Sequence, residues 1–222
     1  MKNRKFLIIA ITIFSCTVMA LVDAVIQPGY FIKSMIKMSV FLIFPLLYSF
    51  LDTDFKPKSF FKFNKKGILT ALVLGVSVYT VILLSFFIFK NVFDFSSLTK
   101  SLTATTGVNK SNFIFVALYI SFVNSLLEEF FFRGFSFLSL KDASGRVPAY
   151  IISSFLFAVY HIAMMIGWFE FPVTCLALLG LFLGGIIFNF FNEKHNNIYP
   201  SWLIHMFANF ATNTIGFILF NT

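Results

Sequence analysis

Seven apolar runs, most of them close to twenty residues long, leave this chain one kind of solvent. They cover residues 5–26, 35–51 (with a possible extension back to Phe31), 67–89, 112–135, 147–168, 172–191 and 200–220. About 20 apolar residues in a helix cross roughly 30 Å of hydrocarbon. A backbone in hydrocarbon must satisfy its own hydrogen bonds, so such runs are expected to be helices. Charged residues make up 12% of the chain, against about 25% in a soluble domain. The predicted fold is therefore all-α: a polytopic integral membrane helical bundle of about seven transmembrane helices. Residues 1–222 read as one membrane-embedded domain, with no internal repeat and no separate soluble unit. The basic start (Lys2, Arg4, Lys5) before apolar 6–22 has the layout of a signal peptide. Its apolar core exceeds the usual 7–15 residues and Val18-Met19-Ala20 is a poor cleavage site, so a retained first helix is expected.

Lysine and arginine placement sets the expected orientation. With the N-terminus in the cytoplasm, the inner segments hold Lys2, Arg4, Lys5, Lys56, Lys58, Lys62, Lys65, Lys66, Lys141, Arg146 and Lys194. The outer segments and adjoining helix ends hold Lys33, Lys37, Lys90, Lys100 and Lys110. Eleven against five predicts N-in. The same distribution accounts for the net charge of +8 without nucleic acid. Residues 55–66 interleave lysines with phenylalanines, which suits a juxtamembrane segment on anionic lipid. Cys16 and Cys175 fall in separate runs and give neither metal spacing nor a disulfide framework. They read as packing residues, and the 35 phenylalanines read as core and lipid-facing filler. The polar stretch 91–111, with Ser96, Ser97, Thr99, Ser101, Thr103, Thr105, Thr106 and Gly107, reads as a long mobile outer loop. His195, in a polar stretch, reads as solvated.

The chain has nine acidic residues, and two of them, Glu128 and Glu129, stand side by side near the end of the fourth run. An ionisable residue at bilayer depth costs about 2.5–3.5 kcal/mol on insertion scales, which makes it a functional candidate by default. Glu129 and Arg133 are four apart and share a helix face in the favourable acid-before-base order. Glu128 then points elsewhere, about 100° round the helix. The alternative is that all three mark a helix end at the interface, with snorkelling side chains. His161 lies in the fifth run; His205 and Asn209 lie four apart on one face of the seventh, continued by Asn213. Each histidine read alone could serve helix–helix hydrogen bonding. Together, a carboxylate, a histidine and a His/Asn donor pair are the parts needed to activate water beside an oxyanion site. Two histidines and two carboxylates could alternatively ligate zinc, although no His-Glu-x-x-His pattern is present.

These residues occur in patterns that resemble a known family. Glu128-Glu129-Phe-Phe-Phe-Arg133 resembles the first motif (EExxxR) of the CAAX-processing and bacteriocin-processing intramembrane proteases, the CPBP or Abi family, which includes the Rce1-type enzymes. Phe157-Ala-Val-Tyr-His161 is similar to its second motif, and His205-Met-Phe-Ala-Asn209 to its third, in the family's order. The resemblance covers 112–213, the expected catalytic core. It implies a glutamate-dependent endopeptidase with a helical core, a cavity open to the cytosol and no cofactor. Glu128 would be the base that activates water, His161 would help hold that water, and His205 and Asn209 would stabilise the oxyanion. Glu129 and Arg133 would be supporting residues. His161, about four turns into its run, looks too deep to meet Glu128 without tilt or a wide cavity. The implied substrate is a peptide or membrane-anchored protein: a prenylated CAAX protein or, given Phe-, Ile-, Lys- and Asn-rich usage typical of AT-rich bacteria, a leader-type peptide at a bacterial plasma membrane. Two other readings compete: a non-catalytic bacteriocin self-immunity or peptide-interaction protein of the same fold, and a proton-coupled transporter. For the transporter, no broken-helix pair or inverted repeat is evident.

Overall fold

The computed structural model describes residues 3–63, 65 and 67–221. Of the basic residues used for orientation, Lys2 and Lys66 lie outside the described residues, as does the side chain of Ser96. Among the described residues there are helices and no strands. Seven helices among the described residues are long and apolar enough to cross a membrane: α1 (Arg4–Ile26), α2 (Tyr30–Leu51), α3 (Ile68–Phe89), α5 (Phe113–Ser144), α6 (Arg146–Met165), α7 (Phe171–His195) and α8 (Tyr199–Asn221). Between α3 and α5 lies a short polar helix, α4 (Ser96–Thr106). The segment expected to be a mobile loop is thus largely helical. Gly107 ends α4 at φ 70°, and Ser97 Oγ donates to the Trp168 carbonyl at 2.7 Å.

Four of the spanning-helix segments are wound as π-helix: Val22–Ile26 in α1, Ser39–Ile43 in α2, and Tyr119–Asn124 and Glu129–Leu138 in α5. In α2 the cause is legible. Pro45 lacks an N–H and its ring crowds the carbonyl four residues back, at Phe41, so the preceding turn widens. In α5, polar side chains of neighbouring helices donate to carbonyls in and beside the widened turns. Asn213 Nδ2 reaches the Ala117 carbonyl (3.2 Å), Asn209 Nδ2 that of Ile120 (3.1 Å) and Trp202 Nε1 that of Phe122 (3.2 Å). Ser153 Oγ donates to Phe132 (2.9 Å). Lipid offers no donors, so irregular backbone at this depth needs such partners from the bundle.

The fourth run does not stop near Phe135. It continues to Ser144, and Gly145 at φ 90° breaks the chain before α6. Gly134, inside this continuing helix, is a contact point. A Cβ there would lie 2.8 Å from Phe60 Cδ2. Phe60 belongs to the 3-10 turn Pro57–Phe61, which tucks under α5, and its carbonyl accepts from the Ile198 N–H at 3.1 Å. The core around α5 is aromatic: Phe41 stacks on Phe131 at 4.1 Å, and Tyr48, Phe55 and Phe135 meet edge to face. Lipid removes the hydrophobic drive between helices, so this packing works through van der Waals contact and hydrogen bonds. Many other phenylalanines, such as Phe50, Phe115 and Phe171, face outward. Cys16 packs against the core, whereas Cys175 is exposed. His195 is not a free loop residue: it is the last residue of α7, stacked on Phe191, and its ring fills the space beside Gly67.

Candidate active site

The two glutamates sit in the middle of α5, not at its end, and both are buried: Glu128 is 3% exposed and Glu129 0%. Arg133 is fully buried as well. The reading of these charges as snorkelling interface residues therefore fails, because about ten residues of helix follow Arg133. Depth also matches across the Gly145 turn. Glu128 and His161 each lie roughly 20–24 Å along their helices from that turn, at about 1.5 Å rise per residue or slightly less in the widened segment. No unusual tilt is needed. The lengthened α5 removes the mismatch expected from the shorter span.

Glu129 faces two partners. His205 Nδ1–H donates to its Oε1 at 3.0 Å, and Arg133 Nη1 lies 3.5 Å from the same oxygen. The i,i+4 pair expected from sequence is thus present, but its second oxygen and the guanidinium nitrogens make no direct hydrogen bond. The guanidinium instead lies between aromatic faces, 3.9 Å from the centre of Phe157 and 4.8 Å from that of Phe188. Desolvated cation–π contacts of this kind contribute about 2 kcal/mol. His205 also stacks on Phe188 and turns its Nε2 toward Glu128 Oε2, 3.7 Å away. One imidazole is therefore bracketed by both glutamates.

His161 caps the end of the regular part of α6, where the chain passes into the 3-10 turn Ala163–Met165. Its Nδ1–H donates to the Phe157 carbonyl at 2.7 Å, which fixes the ring and leaves Nε2 as the free nitrogen. Its ring packs edge-on to Phe157 and Tyr160, and Phe157 in turn meets the His205 ring edge to face. Asn209 is placed differently. Its amide donates to the Ile120 carbonyl, on the widened turn of α5, one turn along α8 from His205.

Sequence reasoning missed Lys37. It was assigned to an outer helix end, but α2 begins at Tyr30, so Lys37 lies inside the span and is 6% exposed. Its ammonium bonds Glu128 Oε1 and, at 2.5 Å, Asn124 Oδ1, and Asn124 Nδ2 donates back to Glu128 Oε1 at 3.1 Å. Lys33, one turn earlier, pairs with Asp23 of α1 at 2.5 Å. Two lysines four apart in an otherwise apolar helical stretch (Phe31, Ile32, Met35, Ile36), with an acid in the preceding span, were the available signal.

Among the described residues, no group of three or more His, Cys, Asp or Glu side chains is arranged to hold a metal ion. The arrangement offers a carboxylate and two imidazoles from α5, α6 and α8, with an adjoining Glu–Arg pair that anchors one imidazole. No curated protein and no solved structure matches the chain. Residues 110–211, which carry all three motifs and every one of these groups except Lys37, match the family model described as type II CAAX prenyl endopeptidase Rce1-like.

Proposed function

We propose that the protein is an intramembrane endopeptidase that hydrolyses peptide bonds with a glutamate-activated water. The observation that carries this reading is the buried polar centre where His205 from α8 faces Glu128 from α5, with the His161 ring from α6 and the His205 ring both against Phe157. Glu128 takes a proton from water, and the resulting hydroxide attacks the scissile carbonyl. The free Nε2 of His161 helps orient that water. His205, anchored through Nδ1 by Glu129, presents Nε2 beside the reacting centre. Asn209 is assigned to the oxyanion side through the family motif; its contact with Ile120 supports a scaffolding contribution beside that role. Metal-free catalysis is the preferred form of this proposal, because no group of three or more His, Cys, Asp or Glu side chains among the described residues is arranged to hold a metal ion.

The substrate class follows from the family: a prenylated CAAX-type chain or a bacterial leader-type peptide, presented at the membrane. The inner face of a bacterial plasma membrane is the proposed opening. With Lys33 and Lys37 inside the bundle, only Lys90, Lys100 and Lys110 remain of the outer basic residues, which steepens the charge asymmetry behind N-in.

The test is cleavage of internally quenched peptides, one prenylated with a CAAX end and one leader-type, by purified protein in liposomes. Wild type is expected to cut at least one. Glu128→Gln should lower kcat by roughly a thousandfold, the scale seen for a lost general base or oxyanion donor, in protein that still folds but melts lower because the Lys37 ammonium loses its carboxylate. Cleavage that survives Glu128→Gln sinks the mechanism. Peptide binding and an immunity phenotype that both survive Glu128→Gln, with no turnover in wild type, would instead establish the non-catalytic alternative.

A further inference from the structure

Glu128 is gripped by groups outside the motifs. Its Oε1 accepts from Lys37 Nζ and from Asn124 Nδ2, while Lys37 also donates to Asn124 Oδ1, closing a three-membered ring of bonds. The ammonium lies 5.1 Å from the centre of the Tyr160 ring and 5.6 Å from that of Phe41. Tyr160 precedes His161, so α2 is braced against both the glutamate helix and the histidine helix. Glu128 Oε2 remains on the side of His205. Resting on the general-base reading above, we propose that Lys37 is the positioning residue of this site: it occupies Oε1, holds the carboxylate ionised, and so makes Oε2 the atom that takes the proton from water.

Geometry separates this from a merely structural ion pair. A structural pair in a bundle interior can be exchanged for apolar side chains at little net cost. A positioning pair cannot, because the oxygen it leaves free is the one that works. Asn124 alone could hold Oε1 but brings no charge, and the second cation of α2, Lys33, is committed to Asp23.

The test compares Lys37→Met and Lys37→Arg with wild type and Glu128→Gln, all in liposomes with the quenched peptide that wild type cuts. The expected result is a loss of about a hundredfold in kcat for Lys37→Met, the scale of a misplaced reacting group, at nearly unchanged KM. Lys37→Arg, which keeps the charge, is expected to restore most of it. A second readout needs no substrate. The infrared difference between each variant and its Glu128→Gln counterpart should show an ionised carboxylate in wild type and Lys37→Arg, and a protonated carboxyl in Lys37→Met. A folded Lys37→Met that keeps wild-type kcat, or that keeps the ionised band, overturns the proposal. Should Lys37→Met fail to accumulate, Lys37→Gln against Lys37→Arg decides by the same two readouts, and equal behaviour of the two overturns it. Cleavage by Glu128→Gln would fail the general-base reading itself. A dead Glu128→Gln beside a wild-type-like Lys37→Met fails only the role of Lys37.

Discussion

Replacing Glu129 with glutamine tests how the buried charges hold the site together. Glu129→Gln keeps the volume and leaves Arg133 wholly buried without its carboxylate. In a soluble core, removing one partner of such a pair costs about 3–5 kcal/mol. Two features pull that figure down here. The pair is long, at 3.5 Å, and the guanidinium keeps the Phe157 and Phe188 faces. The chain unfolded within a membrane also finds other partners. One feature pulls it up: the stranded charge stays at bilayer depth, where an arginine costs about 2.5–3.5 kcal/mol. The expected loss is therefore about 3 kcal/mol, or roughly 150-fold in the folding equilibrium. Arg133→Met added to Glu129→Gln removes the stranded cation and should bring stability back to within about 1 kcal/mol of wild type. Unfolding of the four proteins of this cycle, followed by circular dichroism against a graded denaturing detergent, measures the coupling. The double variant should remain poorly active, because His205 Nδ1 has lost its anionic acceptor. Strictly additive losses would refute the reasoning, since they would mean that Glu129 and Arg133 do not balance each other.

Asn209→Ala leaves the Ile120 carbonyl without its side-chain donor and is expected to cost about 1 kcal/mol, read as a lowered melting temperature; an unchanged melting temperature would show that the widened turn does not need it. Gly134→Ala drives a Cβ to 2.8 Å from Phe60 and should destabilise by about 1–3 kcal/mol, with much of that loss absent when Phe60→Leu is already in place; equal losses in both backgrounds would remove the contact as the cause. Treatment with a strong chelator should leave peptide cleavage unchanged, because no group of three or more His, Cys, Asp or Glu side chains among the described residues is arranged to hold a metal ion; activity lost to chelator and restored by zinc would refute that.

The number of spans and the pairing of Glu129 with Arg133 were legible because each follows from a local rule, apolar length in one case and i,i+4 spacing in the other. The end of the glutamate helix was not. The apolar run ends at Phe135 in sequence, and only the approach of Phe60, more than seventy residues earlier in the chain, shows why a side chain is excluded at Gly134 inside a continuing helix. The truncated helix then put Glu128 and Glu129 near an interface and made His161 look too deep. Correcting one boundary corrects both.

Lys37 was missed for a related reason. A sequence reading assigns lysine to the membrane surface because the cost of burying it is visible, while the partner that offsets the cost is on another helix. Much of the compensation for buried charge here is tertiary: Lys37 with Glu128, Lys33 with Asp23 and, beyond its i,i+4 partner Glu129, Arg133 with two aromatic faces. Glu128 ends with a cation on one oxygen and an imidazole facing the other. That asymmetry gives the two oxygens different work, and it requires a residue from outside the three motifs. On the proposed mechanism the motifs supply the reacting groups, while the contacts of α2 occupy Glu128 Oε1 and leave Oε2 on the side of His205.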